Sequence, residues 1–250
     1  MKPGLLRGLI RWVLWLLAAG VALQLAFVGR IALMAAVDPQ STAFQRSEAW
    51  RLARSDGAFQ WSQQWVPYAR LSPHLKRAVI ASEDAGFTSH GGVDWSAIEQ
   101  AWEKNARRRE QAERRAARAG QPLHTRPPRI VGGSTITQQL AKNLLLSGER
   151  HMLRKGQELV LALLLETFLS KQRILEIYLN SVEWGSGVFG AEAAAQRYFR
   201  KPAERLSPHE AARLAVMLPA PKLYETRPNS AYLAGRTATI VARMGAVQLP

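Results

Sequence analysis

The sequence predicts an all-α domain attached to one N-terminal transmembrane helix. Three observations carry this prediction. A long uncharged apolar run lies near the N-terminus, apolar residues recur at helical spacing from residue 71 onward, and no segment shows the sustained alternation of a sheet. Hydrophobic residues make up 47% of the 250 residues, which is enough to build a sizeable core.

The apolar run WVLWLLAAGVALQLAFV at residues 12–28 contains Gln24 as its single polar residue and no charge. About 20 apolar residues span a bilayer core of about 30 Å. Lys2, Arg7 and Arg11 precede the run and Arg30 alone follows it closely. This asymmetry predicts a single-pass inner-membrane protein with its N-terminus in the cytoplasm. A cleaved signal peptide is the alternative, but its apolar region would be shorter, about 7–15 residues.

Four segments follow from these signals. We expect a cytoplasmic N-terminus over residues 1–11, the anchor over 12–37, a juxtamembrane connector over 38–70 and the main domain over 71–250.

Helix start signals mark the main domain. Ser72 and Pro73 begin the first helix, Thr135 and Gln138 form a capping box, and a second box opens at Ser207. Further helices are expected over residues 95–119, 151–169, 171–179, 188–199 and 231–245. The 151–169 helix is apolar on all sides, which predicts that it is buried inside the domain. Residues 184–187, WGSG, are expected to form a turn.

The strongly positive net charge of the chain indicates which classes of partner it favours. The formal charge of +15 favours nucleic acid, an anionic membrane surface or phosphorylated substrates. The basic segment 103–129 is expected to be a solvated helix and a flexible loop. An RNA-binding stripe is the alternative, but no aromatic residue interleaves its arginines, as base stacking would require. The absence of cysteine excludes disulfides, thiolate chemistry and Cys-based zinc sites.

Glu83 and Asp84 are adjacent carboxylates at a predicted helix end, before a loop that contains His90. A carboxyl group pressed against an apolar wall has a raised pKa and can act as a general base or acid. A solvated helix end is the alternative reading.

The sequence GGST at residues 132–135 precedes a helix, so its free backbone amides could bind an anion. Ser134, Gln138 and Lys142 recur every four residues, with Gln139 and Asn143 in the neighbouring row. A polar row that ends in a cation suits a phosphate or a sugar, while a capped surface helix is the alternative.

A cationic cluster, Arg150, Arg154 and Lys155, precedes Glu158. Arg154 and Glu158 stand at i, i+4, the spacing of a helix salt bridge. Because Glu158 directly precedes the apolar helix, it is either a structural anchor or a second catalytic carboxylate.

Taken together, these segments resemble the peptidoglycan glycosyltransferases of glycosyltransferase family 51. Five blocks match in order over residues 71–244. They are EDAGFTSHGGVD at 83–94, GGSTITQQLAKN at 132–143, RKGQE at 154–158, KQRILEIYLN at 171–180 and GVFG at 187–190 with the alanines and aromatics that follow it. The stretch between the first two blocks is longer and richer in arginine than the family pattern, and a family arginine maps to Arg236.

The resemblance implies a lysozyme-like fold with a small mobile lobe near the membrane. It also implies a reaction in which the lipid-linked growing glycan is transferred with inversion onto the 4-hydroxyl of the lipid II N-acetylglucosamine, and undecaprenyl diphosphate is released. Glu83 would be the general base, with Glu158 assisting through the cations or through a divalent ion, Mg²⁺ or Mn²⁺. No other cofactor is implied. The residues expected to bind substrate are Asp84, Phe87, His90, Ser134, Thr135, Gln138, Gln139, Lys142, Asn143, Arg150, Arg154 and Lys155.

The expected partners are lipid II, the growing glycan strand, inner-membrane lipids and cell-division or elongation proteins, without nucleic acid. Because neither Ser-x-x-Lys nor Lys-Thr-Gly occurs, we expect no transpeptidase activity.

The rival enzyme is a lysozyme-like hydrolase or lytic transglycosylase, which also uses two carboxylates. The GGSTITQQ block and its cations argue against it, since glycan cleavage produces no diphosphate. A basic membrane-bound scaffold or nucleic-acid binder is the non-enzymatic rival.

Overall fold

A computed structural model describes residues 3–55, 59–119, 133–146 and 152–250. Within these residues the chain is mostly helical, which confirms the all-α prediction. The helices are α1 Pro3–Leu33, α2 Ala43–Ala53, α3 Pro73–Glu83, α4 Trp95–Ala119, α5 Ile136–Leu145, α6 Met152–Phe168, α7 Lys171–Ser181, α8 Ala191–Phe199, α9 Pro208–Met217, α10 Pro221–Thr226 and α11 Ala231–Met244.

All three predicted helix starts have the expected caps. Ser72 accepts a hydrogen bond from the His74 amide, with Pro73 in the first turn. Thr135 and Ser207 each form a complete capping box, in which the side chain three residues later returns to the cap backbone. These bonds satisfy amide groups that the helix itself leaves without partners.

A small three-stranded sheet was not expected from the sequence. Its strands are β1 Ser62–Gln63, β2 Glu183–Gly185 and β3 Val188–Phe189, in the order β1-β3-β2. Strand β1 is parallel to β3, and β2 is antiparallel to β3. The predicted turn at 184–187 is therefore partly strand. Strands of two or three residues are too short to show an alternating pattern, so periodicity could not reveal them.

Gly187 allows this sheet to close. Its φ of 72° lies in the left-handed region, and a Cβ there would be 2.1 Å from the Gln60 carbonyl oxygen. Any residue with a side chain would separate β1 from the β2–β3 hairpin.

The hydrophobic core lies where α3, α9 and α11 pack together and where α5 lies against α6 and α7. Tyr178 and Trp184 are among its largest fully buried side chains. The prediction that the 151–169 helix is buried all round is wrong. Leu161 and Leu165 of α6 are buried, whereas Val160 and Leu163 are 46% and 48% exposed. One face of α6 packs on the domain, and the other is apolar but uncovered.

Helix α1 contains the segment Arg7–Leu33, 27 residues with a mean hydropathy of 2.0, which is long and apolar enough to cross a membrane. Its C-terminal end is built into the domain, because Ile31 and Met34 are buried in the core. The Met34 carbonyl accepts a hydrogen bond of 2.8 Å from Arg173 Nε of α7. The side chain of Gln24 also exchanges two hydrogen bonds of 3.1 Å with Gln157 of α6.

The expected connector, residues 38–70, packs closely on the main domain. Thr42 caps α2 through a capping box with Gln45, and both residues are buried. Helix α2 lies against α5, while β1 joins the sheet. Asn180 of α7 then binds both the amide and the carbonyl of Val66, at 2.8 and 2.9 Å.

Helix α4 carries the first part of the basic segment and confirms the prediction of a solvated helix there. Ion pairs at i, i+4 line its surface, namely Arg107–Glu103, Arg109–Glu113 and Arg114–Glu110. The rest of the segment, residues 120–129, lies outside the described residues.

Candidate active site

Asp84 joins the end of α3 to the beginning of α5. Its Oδ2 accepts a hydrogen bond of 3.0 Å from the amide of Ile136, the first residue of α5. Its Oδ1 lies 2.8 Å from His90 Nε2. Because His90 Nδ1 accepts from the Gly92 amide, Nε2 carries the proton and donates to Asp84. Burial raises the pKa of Asp84, and the bonds from His90 and Ile136 oppose that rise.

These contacts change the expectation for the start of α5. The sequence predicted that the free amides of α5 could bind an anion from a ligand. In the structure, the amide of Ile136 instead donates to the carboxylate of Asp84. Thr135 donates a hydrogen bond of 2.6 Å to the Gly92 carbonyl, which fixes the loop on the other side. The helix N-terminus therefore holds Asp84 and the end of α3 in place, since a carboxylate is favoured at this end of the helix.

Glu83 is partly buried at the end of α3. Its Oε2 accepts a hydrogen bond of 3.0 Å from Gln139 Nε2, and its Oε1 accepts one of 3.3 Å from the Ser82 hydroxyl. Burial raises the pKa of Glu83, while the bonds from Gln139 and Ser82 and the charge of Arg236 oppose the rise. This environment suits a general base, because it makes the ionised carboxylate more basic than a solvated one.

Tyr178 contacts the candidate site and was not predicted from the sequence. Its hydroxyl donates a hydrogen bond of 2.9 Å to Gln139 Oε1, so the Gln139 nitrogen faces Glu83. Tyr178 is fully buried, and this burial raises its pKa well above the usual value. The sequence shows it only as an apolar-face residue of the KQRILEIYLN block, so its hydroxyl contact could not be read there.

Glu83 and Gln139, which share a hydrogen bond, line two different pockets. The first has a volume of about 440 Å³, and Glu83 lies in its wall. The second has a volume of about 290 Å³, and Gln139 lies in its wall. Polar residues of the first include Asp84, Lys104, Ser134, Thr135 and Arg243. Polar residues of the second include Lys142, Asn143, Arg154 and Glu183.

The structure thus brings together Glu83 and the polar face of α5, but it divides the predicted polar row. Gln139, Lys142 and Asn143 line the second pocket. Gln138 is buried, and its side chain returns to the Thr135 amide as the third residue of the capping box. The same interaction that begins the helix therefore removes Gln138 from the exposed row.

Two other residues predicted to bind substrate are enclosed by protein. Phe87 is fully buried, with Lys171 Nζ 4.5 Å from its ring centre. The ring of His90 has its two nitrogens occupied by Asp84 and Gly92. Both side chains are placed to support the loop after Glu83. Arg150 lies outside the described residues.

Glu158 is buried and forms ion pairs with Arg154 and Lys155. Arg154 reaches the wall of the second pocket. The two Glu158 oxygens each face one of these cations, Oε2 towards Arg154 and Oε1 towards Lys155. This arrangement favours a role in holding Arg154, and it does not fit a divalent ion, which would compete with two cations.

Asp84, His90 and Asp94 bring possible ligand atoms within 4.8 Å of one another. Hydrogen bonds account for this cluster without a metal. Asp94 Oδ1 accepts from the Ser96 hydroxyl and from the Ala97 amide as the cap of α4, and both oxygens of Asp84 have partners.

Comparison with known proteins identifies the family of the chain. The family model described as Transglycosylase matches residues 52–245. The chain belongs to this family, the peptidoglycan glycosyltransferases of glycosyltransferase family 51, as the ordered blocks predicted.

Relatives named biosynthetic peptidoglycan transglycosylase match along nearly the whole chain. The Burkholderia thailandensis protein is 52% identical over 249 residues, covering 98% of this chain and 90% of that protein. The Burkholderia orbicola protein is 51% identical over 247 residues, covering 97% and 93%. The Burkholderia vietnamiensis protein is 50% identical over 247 residues, covering 97% and 94%.

Proposed function

We propose that this transglycosylase polymerises lipid II into glycan strands at the outer face of the inner membrane. The observation that carries the proposal is the position of Glu83, a carboxylate with a burial-raised pKa that lines one pocket and binds Gln139 in the wall of a second. A reaction that joins two saccharides needs a base between two binding sites, and the place of Glu83 beside these pockets supports such a role.

The acceptor lies in the first pocket, with Ser134 among its contacts. Ionised Glu83 takes the proton from the 4-hydroxyl of the acceptor N-acetylglucosamine. That oxygen attacks the anomeric carbon of the donor N-acetylmuramic acid, and the bond from this carbon to the diphosphate oxygen breaks. Attack opposite the leaving group inverts the α linkage to β-1,4.

The donor diphosphate lies in the second pocket, where Lys142 and Arg154 face it. The departing diphosphate takes the electron pair of the broken bond, so negative charge develops on it. Fixed cations at a developing charge usually supply the largest catalytic contribution. Glu158, which also pairs with Lys155, holds Arg154 in place. Gln139 and Asn143 contact the sugar, and Arg150 adds a further cation.

The remaining residues that were predicted to bind substrate instead hold the loop after Glu83 and the start of α5 in position. Asp84, His90, Thr135 and Gln138 are positioning residues, because their side chains bind one another or the backbone around the start of α5. Phe87 fills the core beneath the loop.

Membrane attachment supports a lipid-linked substrate. Helix α1 crosses the inner membrane with Arg7 and Arg11 on the cytoplasmic side, so the domain lies in the periplasm. The uncovered apolar face of α6, with Leu153, Val160 and Leu163, lies against lipid close to α1. Lipid II, the growing strand and inner-membrane lipids are the partners of the site, and cell-division or elongation proteins are proposed partners of the anchored domain.

Labelled lipid II and finished glycan strands distinguish synthesis from cleavage. Polymer formed from lipid II, with release of undecaprenyl diphosphate, supports the proposal. Fragments formed from finished glycan, with no polymer from lipid II, would instead identify a lysozyme-like hydrolase or lytic transglycosylase.

A further inference from the structure

The first pocket contains two cations that have no role in the reaction described above. Lys104 of α4 and Arg243 of α11 line this pocket together with Glu83. Both cations are exposed, and among the described residues neither side chain has an ion-pair partner. Other basic side chains of α4 are paired with glutamates four residues away, namely those of Arg107, Arg109 and Arg114. The two pocket cations are therefore free to meet a negatively charged ligand.

The position of Lys104 follows from the face that α4 turns towards the pocket. Ala97, Gln100, Ala101 and Lys104 all line it, and residues three or four apart share one side of a helix. At Ala97 this face touches the start of α5, where a Cβ on Gly133 would be 3.2 Å from the Ala97 carbonyl oxygen. Lys104 follows two turns later, which is about 10 Å along the helix axis at a rise of 1.5 Å per residue.

Arg243 has a matching position on α11. This helix packs against α3, which ends at Glu83. The charge of Arg236 lowers the pKa of Glu83, so this part of α11 lies near the proposed base. Arg243 follows Arg236 by two turns, on the same side of the helix and about 10 Å further along its axis. On two different helices, a cation of the pocket wall thus lies about two turns beyond the surroundings of Glu83.

We propose that Lys104 and Arg243 bind the diphosphate of the acceptor lipid II. The inference rests on the proposed function and assigns the charged end of its acceptor. In lipid II the reacting 4-hydroxyl and the diphosphate lie at opposite ends of the disaccharide. The spacing along α4 and α11 suits a disaccharide that lies between Glu83 and the two cations. Charge-assisted hydrogen bonds from two cations suit the negative oxygens of a diphosphate.

The acceptor diphosphate differs chemically from the donor diphosphate. The bond to the donor diphosphate breaks, so Lys142 and Arg154 of the second pocket face a charge that develops during the reaction. The acceptor keeps its diphosphate, whose charge is the same before the reaction and in the transition state. Contacts of this kind lower the Michaelis constant, KM, without raising kcat. Lys104 and Arg243 should therefore affect acceptor binding and leave the rate at saturation unaltered.

The test is KM for labelled lipid II as acceptor, measured with the full-length protein in detergent micelles. Unlabelled lipid-linked glycan is the donor, at a fixed saturating concentration. Lys104→Ala and Arg243→Ala should each raise KM about threefold to tenfold, and the double variant about 10-fold to 100-fold, from the loss of hydrogen bonds to a charged group. The value of kcat should stay nearly constant. Added salt should reduce the difference between the unchanged protein and the variants, because it screens exposed charges.

Arg107→Ala is the matched control. It removes an exposed cation of the same helix that pairs with Glu103 and is not part of the pocket wall. Its KM for lipid II should equal that of the unchanged protein. A rise as large as that of Lys104→Ala would overturn the inference, because it would indicate a general attraction to the basic helix.

Two further results would overturn the inference and leave the proposed function intact. One is a folded double variant with the KM of the unchanged protein. The other is a loss of kcat and melting temperature with KM unaltered, which would indicate a structural role for the two cations. Failure of the unchanged protein to extend the donor with lipid II would reject the proposed function itself, and the inference with it.

Discussion

The hydroxyl of Tyr178 donates a 2.9 Å hydrogen bond to Gln139 Oε1, and this contact fixes the direction of the Gln139 amide. Glu83 needs a hydrogen-bond donor, which only the nitrogen end of that amide can supply. With its oxygen held by Tyr178, the amide presents its nitrogen to Glu83 Oε2 at 3.0 Å. A buried tyrosine of α7 thereby orients the carboxylate at the end of α3.

Tyr178→Phe tests this relationship. It removes the hydroxyl and keeps the ring, so Gln139 can rotate and Glu83 loses its fixed orientation. We expect kcat to fall about tenfold, which corresponds to roughly 1.4 kcal/mol. The partly buried Gln139 oxygen also loses its partner, so the free energy of unfolding should fall by about 0.5–1.5 kcal/mol, the usual contribution of one hydrogen bond. Tyr232→Phe, a change at an exposed tyrosine, is the control. Unaltered kcat in a folded Tyr178→Phe protein would contradict the orienting role.

Glu83→Gln removes the proposed base with little change of shape. Polymerisation of lipid II should fall about 10²–10⁴-fold, the usual contribution of a general base. Melting temperature should change little or rise, because burial of the charge opposes ionisation at this position. The control is Glu103→Gln, at an exposed carboxylate of α4. Retention of most of the activity by the folded variant would exclude Glu83 from the role of base.

The pH dependence of kcat should report Glu83. The base works only when ionised, so kcat should fall as pH falls through a pKa above the usual 4.5. The Gln139 hydrogen bond opposes this rise in pKa, so Gln139→Ala should move the acidic limb of the profile to higher pH. A limb that stays at the same pH, or moves lower, would show that Gln139 does not influence the titrating group.

Lys142→Ala separates catalysis from stability. Lys142 is exposed and lines the second pocket, so its loss should lower kcat about 10²-fold, as for other single groups that stabilise developing charge. The free energy of unfolding should change by about 0.5 kcal/mol or less, as for most surface substitutions. Lys201→Ala, which removes a lysine paired with Glu210, provides the comparison. A large loss of melting temperature with normal specific activity would contradict a donor-site role for Lys142.

Gln24→Leu tests whether the anchor is docked on the domain. Gln24 and Gln157 exchange two hydrogen bonds of 3.1 Å between α1 and α6. In a double-mutant cycle with Gln157→Leu, we expect a coupling of roughly 0.6–2 kcal/mol in micelles, typical of polar contacts between membrane helices. Leu23→Ala, at an exposed position of α1, should show no coupling with Gln157→Leu. Zero coupling between Gln24 and Gln157 would mean that α1 is attached to α6 by apolar contacts alone.

Local signals predicted the helical part of the fold well. Caps such as Thr135 and Ser207 act within four residues, so the sequence contains all the information that they need. The short sheet was missed because its pairing joins β1 to β3 across more than a hundred residues. The one-sided burial of α6 was missed for a similar reason. An all-apolar pattern does not reveal that one face has no protein to cover it.

The sequence by itself determined the helical class, the candidate membrane span and the family, because these depend on local periodicity and on ordered blocks of residues. It also marked Glu83 and the GGSTITQQLAKN block as chemically important. Only the tertiary structure decided which side chains share a surface. The side chain of Gln138 caps its own helix, Asp84 binds the first amide of α5, and Tyr178 fixes the direction of the Gln139 amide. The physical reason is that hydrogen bonds and burial act over a few ångströms in space, between residues that the chain can place far apart in sequence.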